Sequence, residues 1–194
     1  MSRAIVVSGQ VFGVVDWVTA SNDEIGMFLP STKGQTRVIL TGNAVRQQIS
    51  NGIVRKGMTV TALGSLGARC VQQQAGPVPE VVCHAVHLVA EPPHAARTKG
   101  IAYALVKGVA MVWDPEKLVI KVFVPQPGGQ MVCSMTMHKW VDGLPTDSKP
   151  SFMAAMRLGR EFTAAALLET DSYEGKEGQV PVLKLLPTDF RLQG

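Results

Sequence analysis

Glycine and proline divide this chain into short apolar runs, and the runs come twice in the same order. The first half opens with Ala4-Ile5-Val6-Val7-Ser8-Gly9-Gln10-Val11, the second with Ala102-Tyr103-Ala104-Leu105-Val106-Lys107-Gly108-Val109. Each predicts a strand with a glycine near its middle, a mark of a bulge or bend. A bent strand can serve both sides of a closing barrel. A polar turn with a tryptophan follows: Asp16-Trp17, then Trp113-Asp114. Second strands end in Phe28-Leu29-Pro30 and Phe123-Val124-Pro125, where proline, lacking an N–H, closes the ladder. Third strands are Thr36-Arg37-Val38-Ile39-Leu40 and Met131-Val132-Cys133-Ser134-Met135-Thr136-Met137.

A short helix is predicted next. In the first half it runs from Asn43 to Ser50 and stops at Asn51-Gly52. In the second it lies near Ser151 to Leu158 and ends at Gly159, with Ala154, Ala155 and Met156 favouring helix. Fourth strands, Met58 to Leu63 and Phe162 to Leu168, feed polar hairpin loops. These loops reach Gly76-Pro77-Val78-Pro79 and Gly178-Gln179-Val180-Pro181. Fifth strands, Val81 to Val89 and Val182 to Leu192, close each half.

Regular short strands with turn residues between them predict a small barrel or sandwich, and a repeated order predicts a repeated unit. The helix between strands three and four narrows this to an all-β fold with one short helix per repeat, two five-stranded OB-type barrels in tandem. One large mixed α/β domain is the competing arrangement. The expected division is 1–92 and 102–194, joined by a linker over 93–101, in the linker-like stretch Glu91-Pro92-Pro93-His94-Ala95-Ala96-Arg97-Thr98-Lys99-Gly100.

Composition sets outer limits. With 46% hydrophobic and 18% charged residues the chain can bury a core and is not a disordered tail. No apolar run approaches the ~20 residues of a membrane helix, and the first residues lack a signal peptide's apolar core, so a cytoplasmic protein is expected. Three widely spaced cysteines, Cys70, Cys83 and Cys133, point to reduced, partly buried thiols. A net charge of +4 permits nucleic-acid binding without demonstrating it. There is no Walker loop, Gly-x-Ser-x-Gly or His-Glu-x-x-His, which argues against an enzyme. No cofactor and no metal is expected. His84 and His87, three apart on a strand, should face opposite ways. Glu169, Asp171, Glu174 and Glu177 are expected to form a solvated acidic loop.

The first half resembles the bacterial single-stranded DNA-binding proteins and their primosomal relatives. The resemblance rests on Val7-Ser8-Gly9-Gln10-Val11, on Arg37-Val38-Ile39-Leu40-Thr41-Gly42, and most specifically on Val54-Arg55-Lys56-Gly57-Met58 leading through a strand to Gly64-Ser65-Leu66. The second half carries it through Leu158-Gly159-Arg160-Glu161-Phe162. The family's tryptophan before the third strand is absent from Lys33-Gly34-Gln35-Thr36, and its loop aromatic is absent from residues 67–74. The family's acidic tail has no counterpart in Asp189-Phe190-Arg191-Leu192-Gln193-Gly194. The resemblance implies a sequence-tolerant single-stranded DNA-binding protein of replication, recombination or plasmid and phage maintenance. It also implies a homodimer with four barrels and replication or recombination proteins as partners. Alternatives are a protein-interaction scaffold of a replication or conjugation complex, and single-stranded RNA binding.

Single strands are held by cations along a groove and by aromatic faces on which bases stack. First-half cations that fit are Lys33, Arg37, Arg55, Lys56 and Arg69; second-half ones are Lys107, Lys121, Lys139, Arg157 and Arg160. Each could equally be a solvated surface charge. His138-Lys139-Trp140 sets a cation beside an aromatic, where Trp140 either stacks a base, caps the barrel or joins a dimer contact. Trp17 and Trp113 are expected at similar places, as stacking faces or barrel-end plugs. Phe12, Phe28, Phe123 and Phe162 are expected in the core.

Overall fold

The computed structural model describes residues 6–92, 100–126, 129–176 and 178–193. In the first half the elements are β1 (Val6–Val14), β2 (Trp17–Val18), β3 (Glu24–Ser31), β4 (Gly34–Thr41), α1 (Asn43–Ser50), β5 (Thr59–Gln73) and β6 (Gly76–Glu91). In the second they are β7 (Ile101–Val109), β8 (Val112–Asp114), β9 (Val119–Gln126), β10 (Gly129–Thr136), α2 (His138–Asp142), α3 (Ser148–Ala155), β11 (Glu161–Gly175) and β12 (Gly178–Leu192).

Among the described residues the twelve strands belong to one hydrogen-bonded sheet, ordered β2-β3-β4-β6-β5-β1-β7-β11-β12-β10-β9-β8. The order is a palindrome about the antiparallel β1–β7 seam, where Val6 pairs with Lys107 and Phe12 with Ile101. The outermost strand of each half is the direct continuation of its innermost one: β1 runs through Val15 and Asp16 into β2, and β7 through Ala110 and Met111 into β8. Each six-strand set therefore closes on itself, and counting the bent strand once gives the five strands of an OB barrel. The parallel β4–β6 and β10–β12 pairings complete each ring.

The bend is held alike in both halves. Val15 N–H donates to Met58 O and Gly57 N–H to Val15 O; Ala110 N–H donates to Arg160 O and Gly159 N–H to Ala110 O. Gly57 and Gly159 both have positive φ, 89° and 77°, a region that glycine adopts without strain. A second shared device is a register shift: one extra residue, Val86 in β6 and Thr188 in β12, bends the hairpin of each half. The core is lined by Val11, Ile25, Leu40 and Val60 on one side and Phe162, Met135, Leu183 and Leu185 on the other, in continuous contact through the seam. Of the thiols, Cys70 is half-buried; Cys83 and Cys133 are buried, and burial pushes both up to about 12.

Several expectations are corrected. Residues 67–73 and 169–175 are not loops; they extend β5 and β11 to 15 residues each and form long two-stranded arms. The His138-Lys139-Trp140 cluster begins a helix, α2. Ile101, placed at the end of the linker, is already in β7; residues 93–99 lie outside the described residues. His84 pairs with Ser65 and His87 with Leu63, so the extra residue Val86 returns both histidines to one exposed face.

Candidate nucleic-acid interface

Inward positions of each barrel are fixed by the core, so its outward positions hold any chemistry available to a ligand. On the first barrel, residues 24, 26 and 28 of β3 face outward between the buried Ile25, Met27 and Leu29. Cross-strand pairing carries this face from Phe28 to Arg37, from Arg37 to Glu80 and from Glu80 to Arg69.

This row is a closed ion-pair network. Glu80 is 0% exposed, and its carboxylate contacts Arg37 Nε on one side and Arg69 Nε, at 2.9 Å, on the other. Arg69 also donates two hydrogen bonds, of 2.9 and 2.8 Å, to Glu24. Those bonds to Glu24 come first, ahead of the one to Glu80, in raising the Arg69 pKa above its ordinary value. The Arg37 guanidinium lies 4.8 Å from the centre of the Trp17 ring. Trp17 lies against Gly26, where a Cβ would come within 1.8 Å of the indole Cε2, and is tilted on Phe28 at 5.2 Å. Phe28, expected in the core, is 46% exposed: its cross-strand partner Arg37 shares the outward face. Two predicted cations, Arg37 and Arg69, and one predicted aromatic, Trp17, thus meet on one face. Glu24 and Glu80 cancel the cations' charge.

On the second barrel the same rows carry other residues. Where Trp17 pairs with Gly26, Val112 pairs with Lys121; Trp113 pairs with Ile120, as Val18 does with Ile25. The two tryptophans are therefore one residue out of step, and a one-residue shift along a strand reverses the face. Trp113 packs edge-on against Phe152 at 6.4 Å, and Trp140 lies 4.9 Å from Phe152 and 5.4 Å from Phe190. Both rings join the aromatic cluster at the barrel's end, the plug and cap alternatives rather than an open stacking face.

Lys121 is exposed on β9 and pairs with Ser134, which pairs with Lys184 on β12. The two lysines flank Ser134 on one outward face, with Cα atoms about 10 Å apart by strand spacing. Neither forms an ion pair among the described residues, though Lys184 lies opposite Glu169 of β11 and, behind the Lys33 hydrogen bond, its charge helps hold the Asp171 carboxyl below its usual range. Lys184 alternates with the buried Leu183 and Leu185, the same signal that singles out Lys121, yet sequence reading missed it.

The remaining candidates are dispersed. Arg55 and Lys56 are exposed in the turn between α1 and β5, and Arg157, with half-buried Arg160, occupies the matching turn of the second half. His138 and Lys139 are exposed on α2. Lys107 lies on the seam, where a cleft of about 360 Å³ is lined by Ser8, Leu105, Lys107, Thr163, Asp189 and Arg191.

Lys33 is committed elsewhere. It sits in the β3–β4 turn, 2.6 Å from Asp171 of β11, while Thr32 donates its N–H and hydroxyl to Glu169 at 2.5 and 2.7 Å. Glu169 is 5% exposed, so Glu169 and Asp171 form a clasp between the halves and are not part of a solvated loop, whereas Glu174 is exposed; Glu177 lies outside the described residues. The Lys33 ammonium holds the Asp171 carboxyl below its usual range. Among the described residues no three His, Cys, Asp or Glu side chains gather as metal ligands, and no helix is long and apolar enough to cross a membrane.

No protein-family model matches this sequence, and no curated protein does. Among solved structures, the wild-type single-stranded DNA-binding protein from Thermus aquaticus superposes with a TM-score of 0.55 at 10% identity, covering 99% of this chain and 95% of that one. A deletion mutant of the Thermus aquaticus protein gives 0.53 at 11% identity, covering 100% and 97%. At such identity the likeness is one of fold: an all-β, two-barrel arrangement shared from end to end.

Proposed function

We propose that this chain binds single-stranded DNA with little regard to sequence, in replication, recombination or the upkeep of a plasmid or phage. The observation that carries the reading is an outward barrel face bearing Lys121 and Lys184, neither in an ion pair among the described residues, on a fold shared over its whole length with a protein named for binding single-stranded DNA. The exposed Phe28 adds a face for a base, and Arg55 and Lys56 add charge beside α1. The chain acts by binding and not by catalysis, in the cytoplasm. The Lys and Arg contacts supply sequence-independent affinity, and binding weakens with salt as counterions are released.

The direct test is a titration with oligo(dT) and a mixed-sequence strand at low salt, read by tryptophan emission and gel shift. Both strands should bind, with affinity falling linearly in log salt. Unchanged emission with no shifted band for either strand overturns the reading. Matching RNA strands in the same assay separate the RNA alternative, since a 2′-hydroxyl is the only added group at each sugar.

We also infer a homodimer, supplying four barrels. Its support is a set of exposed apolar side chains on both sides of the seam: Leu63, Val89, Tyr103 and Leu105 are 42%, 43%, 40% and 59% exposed on the outward face of β5, β6 and β7, with Gln10 and Ser8 of β1 between them. A light-scattering mass of one chain at working concentration would overturn it.

A further inference from the structure

The two barrels offer a strand complementary halves of what it needs. The first has an exposed aromatic, Phe28, braced by Trp17, and the nearest cations on that face are neutralised by Glu24 and Glu80. In the second, Lys121 and Lys184 form no ion pair among the described residues, although Lys184 faces Glu169 across the β11–β12 pairing and its charge acts on Asp171, while Trp113 and Trp140 are taken up in packing with Phe152 and Phe190. The counterpart of Phe28, Phe123, is only half-exposed. Neutralised guanidinium groups release few counterions when a phosphate arrives, whereas unpaired lysines release their own. Stacking needs an accessible ring and is indifferent to salt.

We infer that the barrels divide a bound strand: the first stacks bases through Phe28 beside Trp17, and the second holds phosphates through Lys121 and Lys184. This rests on the single-strand reading above. It assigns affinity and salt dependence to different halves of one chain.

The experiment compares Phe28→Ala with the double variant Lys121→Gln/Lys184→Gln in the full chain, binding oligo(dT) and an abasic strand of equal length over a salt series. Thermal melts verify that each variant is folded; Phe28→Leu replaces Phe28→Ala if the latter is not. The double variant should make the log–log salt slope shallower by about 1.4 on both strands, as expected for two lost contacts on single-stranded DNA. Phe28→Ala should weaken oligo(dT) binding about 5- to 150-fold at every salt, the equivalent of one stacked base. It should leave the slope and the abasic affinity unchanged. The inference fails if the double variant keeps the parent slope, or if Phe28→Ala alters the slope or weakens both strands alike. A parent chain that binds neither strand removes the single-strand reading itself, a result distinct from either failure.

Discussion

The two halves have nearly the same backbone and different outer faces. The same hydrogen bonds hold the bend after the first strand, and the same register shift falls at Val86 and Thr188. Row by row, however, Trp17–Gly26–Ile39–Val82 on the first barrel becomes Val112–Lys121–Ser134–Lys184 on the second. Phe28–Arg37–Glu80–Arg69 becomes Phe123–Val132–Val182–Asp171. The comparison teaches where the fold's constraints lie. Inward residues, bend glycines and bulges determine the barrel, while an outward position tolerates a tryptophan, a lysine or a valine, provided its neighbours match it. Arg37 and Glu80 match each other; so do Val132 and Val182.

Matching by charge is fragile in a way that matching by packing is not. Replacing Glu80 with Gln leaves two guanidinium groups facing a buried neutral amide, and we expect a loss of about 3–5 kcal/mol in urea unfolding. Installing the second barrel's solution, Arg37→Val with Glu80→Val, should recover most of that loss, because Arg69 keeps its two bonds to Glu24. A Glu80→Gln loss below 1 kcal/mol, or a double variant no better than the single, would break the comparison. A smaller effect is expected at the neighbouring row. Gly26→Ala forces a methyl into the Trp17 indole, so it should cost about 1–3 kcal/mol and shift tryptophan emission. Lys121→Ala, at the matching position, should fall within about 0.5 kcal/mol of the parent. Equal costs at the two sites would mean that the Trp17 packing constrains nothing.

Much of the fold was legible because it is punctuated. Asn51-Gly52 ends α1, and the Pro79 and Pro181 hairpins mark the return of the long arms. The arms themselves were not legible. A two-stranded ribbon beyond the barrel has little core face, so its residues lack the apolar alternation that marks a strand. The outer face was legible one side chain at a time: alternation in β9 singles out Lys121, and the same rule applied to β12 finds Lys184. What the alternation cannot supply is the partner. Arg69 meets Glu24 across 45 residues, and Lys33 meets Asp171 across 138, so their charges look free in the sequence and are not. The tryptophans failed for a different reason, since similar positions in two aligned segments can still differ by the single residue that decides the face.

The smallest expected effect lies where the halves touch through charge. Asp171 stands where the first barrel has Arg69, but its partner Lys33 comes from the other half and both side chains are largely exposed. The contribution is therefore that of a surface pair, about 0.2–1 kcal/mol, and it should shrink further in salt. Its pH dependence has a definite sign. The folded pKa of Asp171 is depressed, chiefly by the Lys33 hydrogen bond, so the stabilisation is complete above the unfolded value of about 3.9. It is lost as pH falls through the folded value. Asp171→Asn should accordingly be less stable than the parent at neutral pH and low salt, and the two stability curves should converge on acidification. Curves that stay a fixed distance apart down to the acid limit would show that the difference comes from packing of the arm. The Thr32–Glu169 contact alone would then join the two halves at this clasp.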